Sequence, residues 1–149
     1  MPSNASTQKQ RQDWMGLLAR AKPQRLAELF PEVPPHATLR APEIGAVMVR
    51  GRIGGTGQPF NLGEMTVTRC VLQLDGGAVG HAHVQGRDRD HARRAAAVDA
   101  LMQSDPAGPL QVKLLEILQA EEAQRRSARA AKAAATRVEF FTLVRGEDQ

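Results

Sequence analysis

The sequence predicts an α+β fold: an antiparallel four-stranded meander sheet with N-terminal helices, one helix after the sheet, a long C-terminal helix and an extended apolar tail. Three observations carry this. Alternating apolar and polar runs fill the middle of the chain, as half-buried strands require, and apolar residues at helical spacing fill both flanks. Between two of the alternating runs stands Asp75-Gly76-Gly77. Asp-Gly readily supplies positive φ at both central positions of a tight hairpin turn. The connections are short, which suits antiparallel neighbours.

In chain order, Ser6 or Thr7 caps a first helix whose Trp14, Leu17, Leu18 and Ala21 share one face. Lys22-Pro23 breaks it. Leu26, Leu29 and Phe30 then mark a short second helix that Pro31 ends. Two helices joined by a tight turn could read DNA. The second is short and is closed off by Pro31, Pro34 and Pro35, so packing is the favoured role.

The first strand, His36 to Ala41, ends at Pro42, which bars it from a central position. The second, Ala46 to Ile53, puts Val47, Val49 and Ile53 on one side and Met48, Arg50 and Arg52 on the other. Between it and the third, Met65 to Leu74, lies Arg52 to Glu64, with Gly54, Gly55, Thr56, Gly57, Pro59 and Gly63. Glycines at this density make a shaped loop between strands. No helix pattern follows, so it is not a dinucleotide fingerprint, and the Lys-Ser/Thr pair of a phosphate-binding Walker loop is absent. Clustered amides in such a loop can still meet an anion. The fourth strand is Ala78 to Gln85.

Combining the strand phases places Val47, Val49, Ile53, Cys70, Leu72, Leu74, Ala82 and Val84 on the core face. The opposite face then collects Arg50, Arg52, Arg69, His81 and His83, interrupted by Met48, Met65 and Val67. Cations alone would suit a wet surface. The apolar members favour a covered one, under a partner or a helix of this chain.

Asp88 caps a helix whose positive end suits Asp90. Its Ala92, Ala95, Ala96, Leu101 and Met102 form a stripe able to lie close on the sheet. From Leu110 to about Thr136 the pattern predicts a helix of roughly 40 Å. It is leucine-rich first and rich in Ala, Arg125, Arg126, Arg129 and Lys132 later. That is long for this domain, so part of it is expected to rest on another chain. The end of the chain, 137–146, is apolar on both faces and holds two of the four phenylalanines. Val138, Phe140, Phe141, Leu143 and Val144 are expected to be buried, here or in a partner.

Composition narrows the function. The 149 residues suffice for one domain, 1–149, divided into a helical segment 6–31, a sheet 36–85, helices 88–136 and the tail 137–146. Cys70 is the only cysteine, which excludes an internal disulfide and suits a cytoplasmic protein. No run is long enough to span a bilayer and Met1 to Gln12 carries no apolar leader, so no membrane association is expected. A net charge of +4 permits an anionic ligand or acidic partner. Nucleic acid is not expected, because aromatics are only 3 % and tyrosine is absent, leaving little to stack on bases.

Residues for chemistry are few. His81 and His83 alternate onto one strand face with His91 nearby, which sketches a metal site, but no acid in the strand completes it. Asp88, Asp90 and Asp99 could pair as carboxylates, although Asp88 is better explained as a cap. Arg87 and Arg89, at a helix N-terminus, meet an anion there or are solvated. Cys70 reads as a buried, inert thiol. No nucleophile stands with a base. The residues alone describe a binding or assembly module, and the competing reading is a stand-alone anion-binding or metal-dependent hydrolytic domain using His81, His83 and His91.

Three segments add a resemblance. Arg52 to Arg69, RIGGTGQPFNLGEMTVTR, resembles the signature of the PhnG family, the G subunit of the bacterial carbon–phosphorus lyase core complex. Val84 to Asp88 with His91-Ala92, and Ala135 to Gly146, agree with it, as does Asp13-Trp14-Met15 with Leu17-Leu18. The resemblance implies a subunit of α-D-ribose 1-methylphosphonate 5-triphosphate synthase. That system uses methylphosphonate to displace adenine from ATP, before a radical iron–sulfur subunit cleaves the C–P bond. The implied partners are the H, I, J and L proteins, most directly the I subunit, to which the nucleosidase centre is attributed. No catalytic residue and no cofactor is implied for this chain; ATP and methylphosphonate are substrates of the complex. Arg50, Arg52, Gly54, Gly55, Thr56, Gly57, Arg69 and Arg87 would then hold a sister subunit or the triphosphate, the former being favoured.

Overall fold

The computed structural model describes residues 4–106 and 108–137. Two helices open the chain, α1 (Asn4–Arg20) and α2 (Pro23–Leu29), followed by strands β1 (His36–Arg52), β2 (Pro59–Leu74) and β3 (Val79–Gln85). Next come α3 (Arg89–Ser104), a π-helical turn at Gln111–Leu115 and α4 (Glu116–Ala135). The strands form one antiparallel sheet in the order β1-β2-β3. The α+β class and meander stand, but the described sheet has three strands rather than four.

Pro42 accounts for the difference. The expected strands His36–Ala41 and Ala46–Ile53 are one strand, because the register shifts between Thr38 and Arg40 and between Arg40 and Glu43. These irregularities pass Pro42 through the sheet edge without a missing ladder bond. The strand expected to start at Met65 starts instead at Pro59, so the loop shrinks to the few residues after Arg52. Pairing with β1 outweighs the weak strand preference of Asn61 and Gly63.

Cys70, Leu72, Leu74, Ala82 and Val84 are buried beneath the helices, in the phase expected of them. The expected phase of β1 is overturned. Val47 pairs with Met65 and Glu43 with Arg69, so Val47 and Val49 share the face of Arg69, not that of Cys70. Ile53, at the tip, is exposed. The two register shifts before Glu43 together add two residues to β1 and so restore its alternation; the phase is set by the pairing with β2, which no local pattern announces. The turn after β2 closes with the Leu74 amide on the Ala78 carbonyl and the Gly77 amide on the Leu74 carbonyl. Only Gly77 takes positive φ there, at 90°, so the turn is of the bulged kind rather than the expected one with two positive-φ residues.

Asp88 caps α3 by accepting from the His91 amide at 2.8 Å. The alanine stripe lies so close on β3 that a Cβ at Gly80 would collide with the Ala96 carbonyl oxygen. Helices α1 and α2 complete the core through Trp14, Leu18, Ala21, Leu26 and Phe30. The long C-terminal helix is present, and from Ala123 onward each of its described residues is exposed. The expected tail contacts of Val138, Phe140, Phe141, Leu143 and Val144 lie outside the described residues.

His91 is 1 % exposed. Its Nε2 donates to the Leu18 carbonyl at 2.8 Å, while Nδ1 is buried without a partner among the described residues. Burial pushes its pKa below the ordinary value, outweighing the Leu18 carbonyl and Asp88, which pull it up. The unfolded chain therefore binds a proton near pH 6.5 that the folded chain refuses, and stability is lost as pH falls below that value. His83 is shifted in the same direction. Between pH 7 and 5, urea midpoints should fall with pH, and His91→Gln should flatten that slope by up to about 1.4 kcal/mol per pH unit. An unchanged slope would contradict the assignment.

Candidate subunit interface

β3 pairs with β2 only from Val67 to Gln73, whereas β1 and β2 remain paired out to Arg52 and Pro59. Beyond Gly45 and Val67 they therefore form a two-stranded arm, about 23 Å long at about 3.3 Å per residue. Among the described residues such a ribbon has no third strand to stabilise it in water. It also carries unusual side chains for a solvated hairpin: Met48, Ile53, Phe60 and Leu62 are 53 %, 66 %, 40 % and 66 % exposed. Arg50 and Arg52 are exposed among them.

The tip is a tight turn rather than an open cradle. The Gly57 amide donates to the Ile53 carbonyl at 2.8 Å, and one Arg52 guanidinium nitrogen donates to the Gly57 carbonyl at 3.2 Å. Gly54 and Gly55 take φ of 60° and 83°, the left-handed conformation that favours glycine. Thr56 closes the turn.

The expected site residues do not converge. Alternation along β1 puts Met48, Arg50 and Arg52 on the face opposite Arg69. Arg69 lies back in the body across Gly45, where a Cβ would stand 2.9 Å from its Nη2. Arg87 precedes the Asp88 cap near Gly86, whose amide bonds Thr66 at the base of the arm. It is thus roughly an arm's length from the glycine turn. Arg69 and Arg87 both lie at the body end of the arm, away from the Gly54–Gly57 turn at its tip, which does not suit a single phosphate cradle.

The histidines separate as well. His81 and His83 stand on the open face of β3, where burial, Arg69, Arg40 and His81 lower the pKa of His83. His91 is buried on α3. Among the described residues no three His, Cys, Asp or Glu side chains are grouped to hold a metal. Burial raises the pKa of the Cys70 thiol, with Arg93 opposing, and keeps it a poor nucleophile.

Sequence reasoning, which took it only as one of three carboxylates able to pair, missed the role of Asp99. It is fully buried, and its carboxylate accepts from Arg11 Nε at 3.1 Å, Arg11 Nη2 at 2.8 Å and Trp14 Nε1 at 2.9 Å. The His81 amide and Gln103 Nε2 also donate to it, at 2.9 and 3.1 Å. One carboxylate thus ties α1 and β3 to α3. The signal was present: Asp99 falls on the same helical face as Ala92, Ala95 and Ala96. A second linkage joins α1 to α4, with Glu122 accepting from Arg20 at 3.0 Å and Arg126 at 2.6 Å. Both acids hold the body together. The apolar arm and the bare second half of α4 are left without an occupant among the described residues.

Comparison with known proteins bears on what covers them. Residues 9–146 match the family described as "Phosphonate metabolism protein PhnG". A protein of Rhizobium meliloti (strain 1021), named "Alpha-D-ribose 1-methylphosphonate 5-triphosphate synthase subunit PhnG", is 46 % identical over 142 residues. The match covers 93 % of this chain and 91 % of that protein. No described helix is long and apolar enough to cross a membrane.

Proposed function

This chain belongs to the PhnG family, and on that premise we propose that it is the non-catalytic subunit around which a methylphosphonate-transferring synthase assembles in the cytoplasm. The complex transfers methylphosphonate onto C1′ of ATP and releases adenine, in phosphonate catabolism. The chain's partners are the H, I, J and L proteins of the carbon–phosphorus lyase system, most directly the I subunit, and it binds no cofactor of its own.

The observation that carries this reading is the arm. Four large apolar side chains and two arginines project on a ribbon that the other described residues do not cover. Burying such a side chain is worth roughly 1.5–3 kcal/mol, so the arm favours a protein surface over water. The exposed end of α4, with Arg125, Arg129 and Lys132, offers a second, basic contact. The separation of the Gly54–Gly57 turn from Arg69 and Arg87 weighs against a triphosphate site built on that turn.

Arg50→Ala with Arg52→Ala tests assembly against ligand binding. The expected complex is weaker and more salt-sensitive, while the ATP requirement of the surviving complex is unchanged. An intact complex with an ATP requirement raised about 10-fold or more would assign these arginines to the triphosphate instead.

A further inference from the structure

Among the described residues the outer edge of β1 is open along the arm. In β2 the Thr66 carbonyl accepts from Gly86 and the Leu74 amide donates to Ala78. Even-numbered residues of β2 therefore turn their backbone groups towards β3, and odd-numbered ones towards β1. The β1 partners of those odd-numbered residues, Glu43, Gly45, Val47 and Val49, bond inward. It follows that the amides and carbonyls of Ile44, Ala46 and Met48 point away from β2. The Ile53 amide bonding inward to Gln58 continues the alternation and adds Arg50 and Arg52 to the outward set. None of these outward groups bonds to another described residue. Pro42 blunts the edge nearer the body, as edge strands commonly are, but beyond it no proline interrupts β1.

We propose that an extended strand of a sister subunit adds to this edge, so that β1 becomes an interior strand of a four-stranded sheet. This rests on the assembly reading above and specifies its geometry. Backbone bonds to Ile44, Ala46 and Met48 supply affinity, and side chains set the register. Along one face β1 presents Met48, Arg50 and Arg52, which fits a strand with an apolar residue followed by carboxylates at alternate positions. A second copy of this chain fits poorly. Pairing β1 with itself would gather four arginines, and Glu43, the acid on β1, is already held by Arg40 at 2.6 Å.

Met48→Pro removes one outward amide and leaves the inward ladder of β1 and β2 in place. The isolated variant should keep the circular dichroism and unfolding midpoint of the parent. Its co-purification with the sister subunits should fall at least 10-fold, further than that of Met48→Ala, which keeps the amide. Site-resolved hydrogen exchange on the unaltered chain gives an answer even if the proline variant fails to fold. The amides of Ala46 and Met48 should exchange quickly in the isolated chain and slowly in the complex. Normal assembly of a folded Met48→Pro, or unprotected amides in the complex, would overturn the proposal while leaving the assembly reading standing. Protection in an isolated dimer would overturn it in favour of self-pairing. If the parent chain fails to co-purify at all, the assembly reading itself falls.

Discussion

Asp99→Ala should cost the folded chain about 3–5 kcal/mol, a large share of the roughly 5–15 kcal/mol that holds a typical domain together. Every group that meets this carboxylate is a donor: Arg11 twice, the Trp14 indole, the His81 amide and Gln103. Alanine accepts from none of them, and it leaves the guanidinium of Arg11 without its counter-charge. Asparagine keeps one acceptor oxygen but turns an NH2 towards the same donors, so Asp99→Asn should also destabilise, by less. Urea unfolding of the isolated chain reads both. A loss below about 1 kcal/mol for Asp99→Ala would mean that the network does not hold α1 on the body.

What could be read from the sequence depended on how local its cause was. The Asp88 cap, the break at Pro23 and the alanine stripe of α3 are set by neighbours in the chain, and each stands where the pattern put it. The turn at Asp75 was legible as a turn, but its class depends on the flanking register. The arm was misread because glycine and proline density signals a loop, whereas cross-strand pairing extends β2 back to Pro59. The phase of β1 is set by its register against β2, so the apolar pattern of its own run put Val47 and Arg52 on the wrong faces. The role of Asp99 depends on partners 85 and 88 residues away, which no local window contains.

The arm carries the second large effect. Met48 to Glu64 contributes nothing to the described core cluster, and Val47 and Met65 are an inward-bonded pair across the ladder. Replacing residues 48–64 by an Asn-Gly turn should therefore leave a folded body. It also removes Met48, Ile53, Phe60 and Leu62, whose burial in a complex is worth on the order of 1 kcal/mol or more each. The resulting loss of affinity is about 10³-fold.

The most direct measurement is adenine release from ATP and methylphosphonate in a reconstituted mixture of the sister subunits. It should be run with the full chain, with the arm-deleted chain, and with neither. The expected result is methylphosphonate-dependent release with the full chain, and release at the level of the empty mixture with the arm-deleted one. The full chain by itself should release no adenine. Equal methylphosphonate transfer in the mixture lacking this chain would contradict the assignment. Full activity with the arm-deleted chain would show that the arm is not where the complex is held.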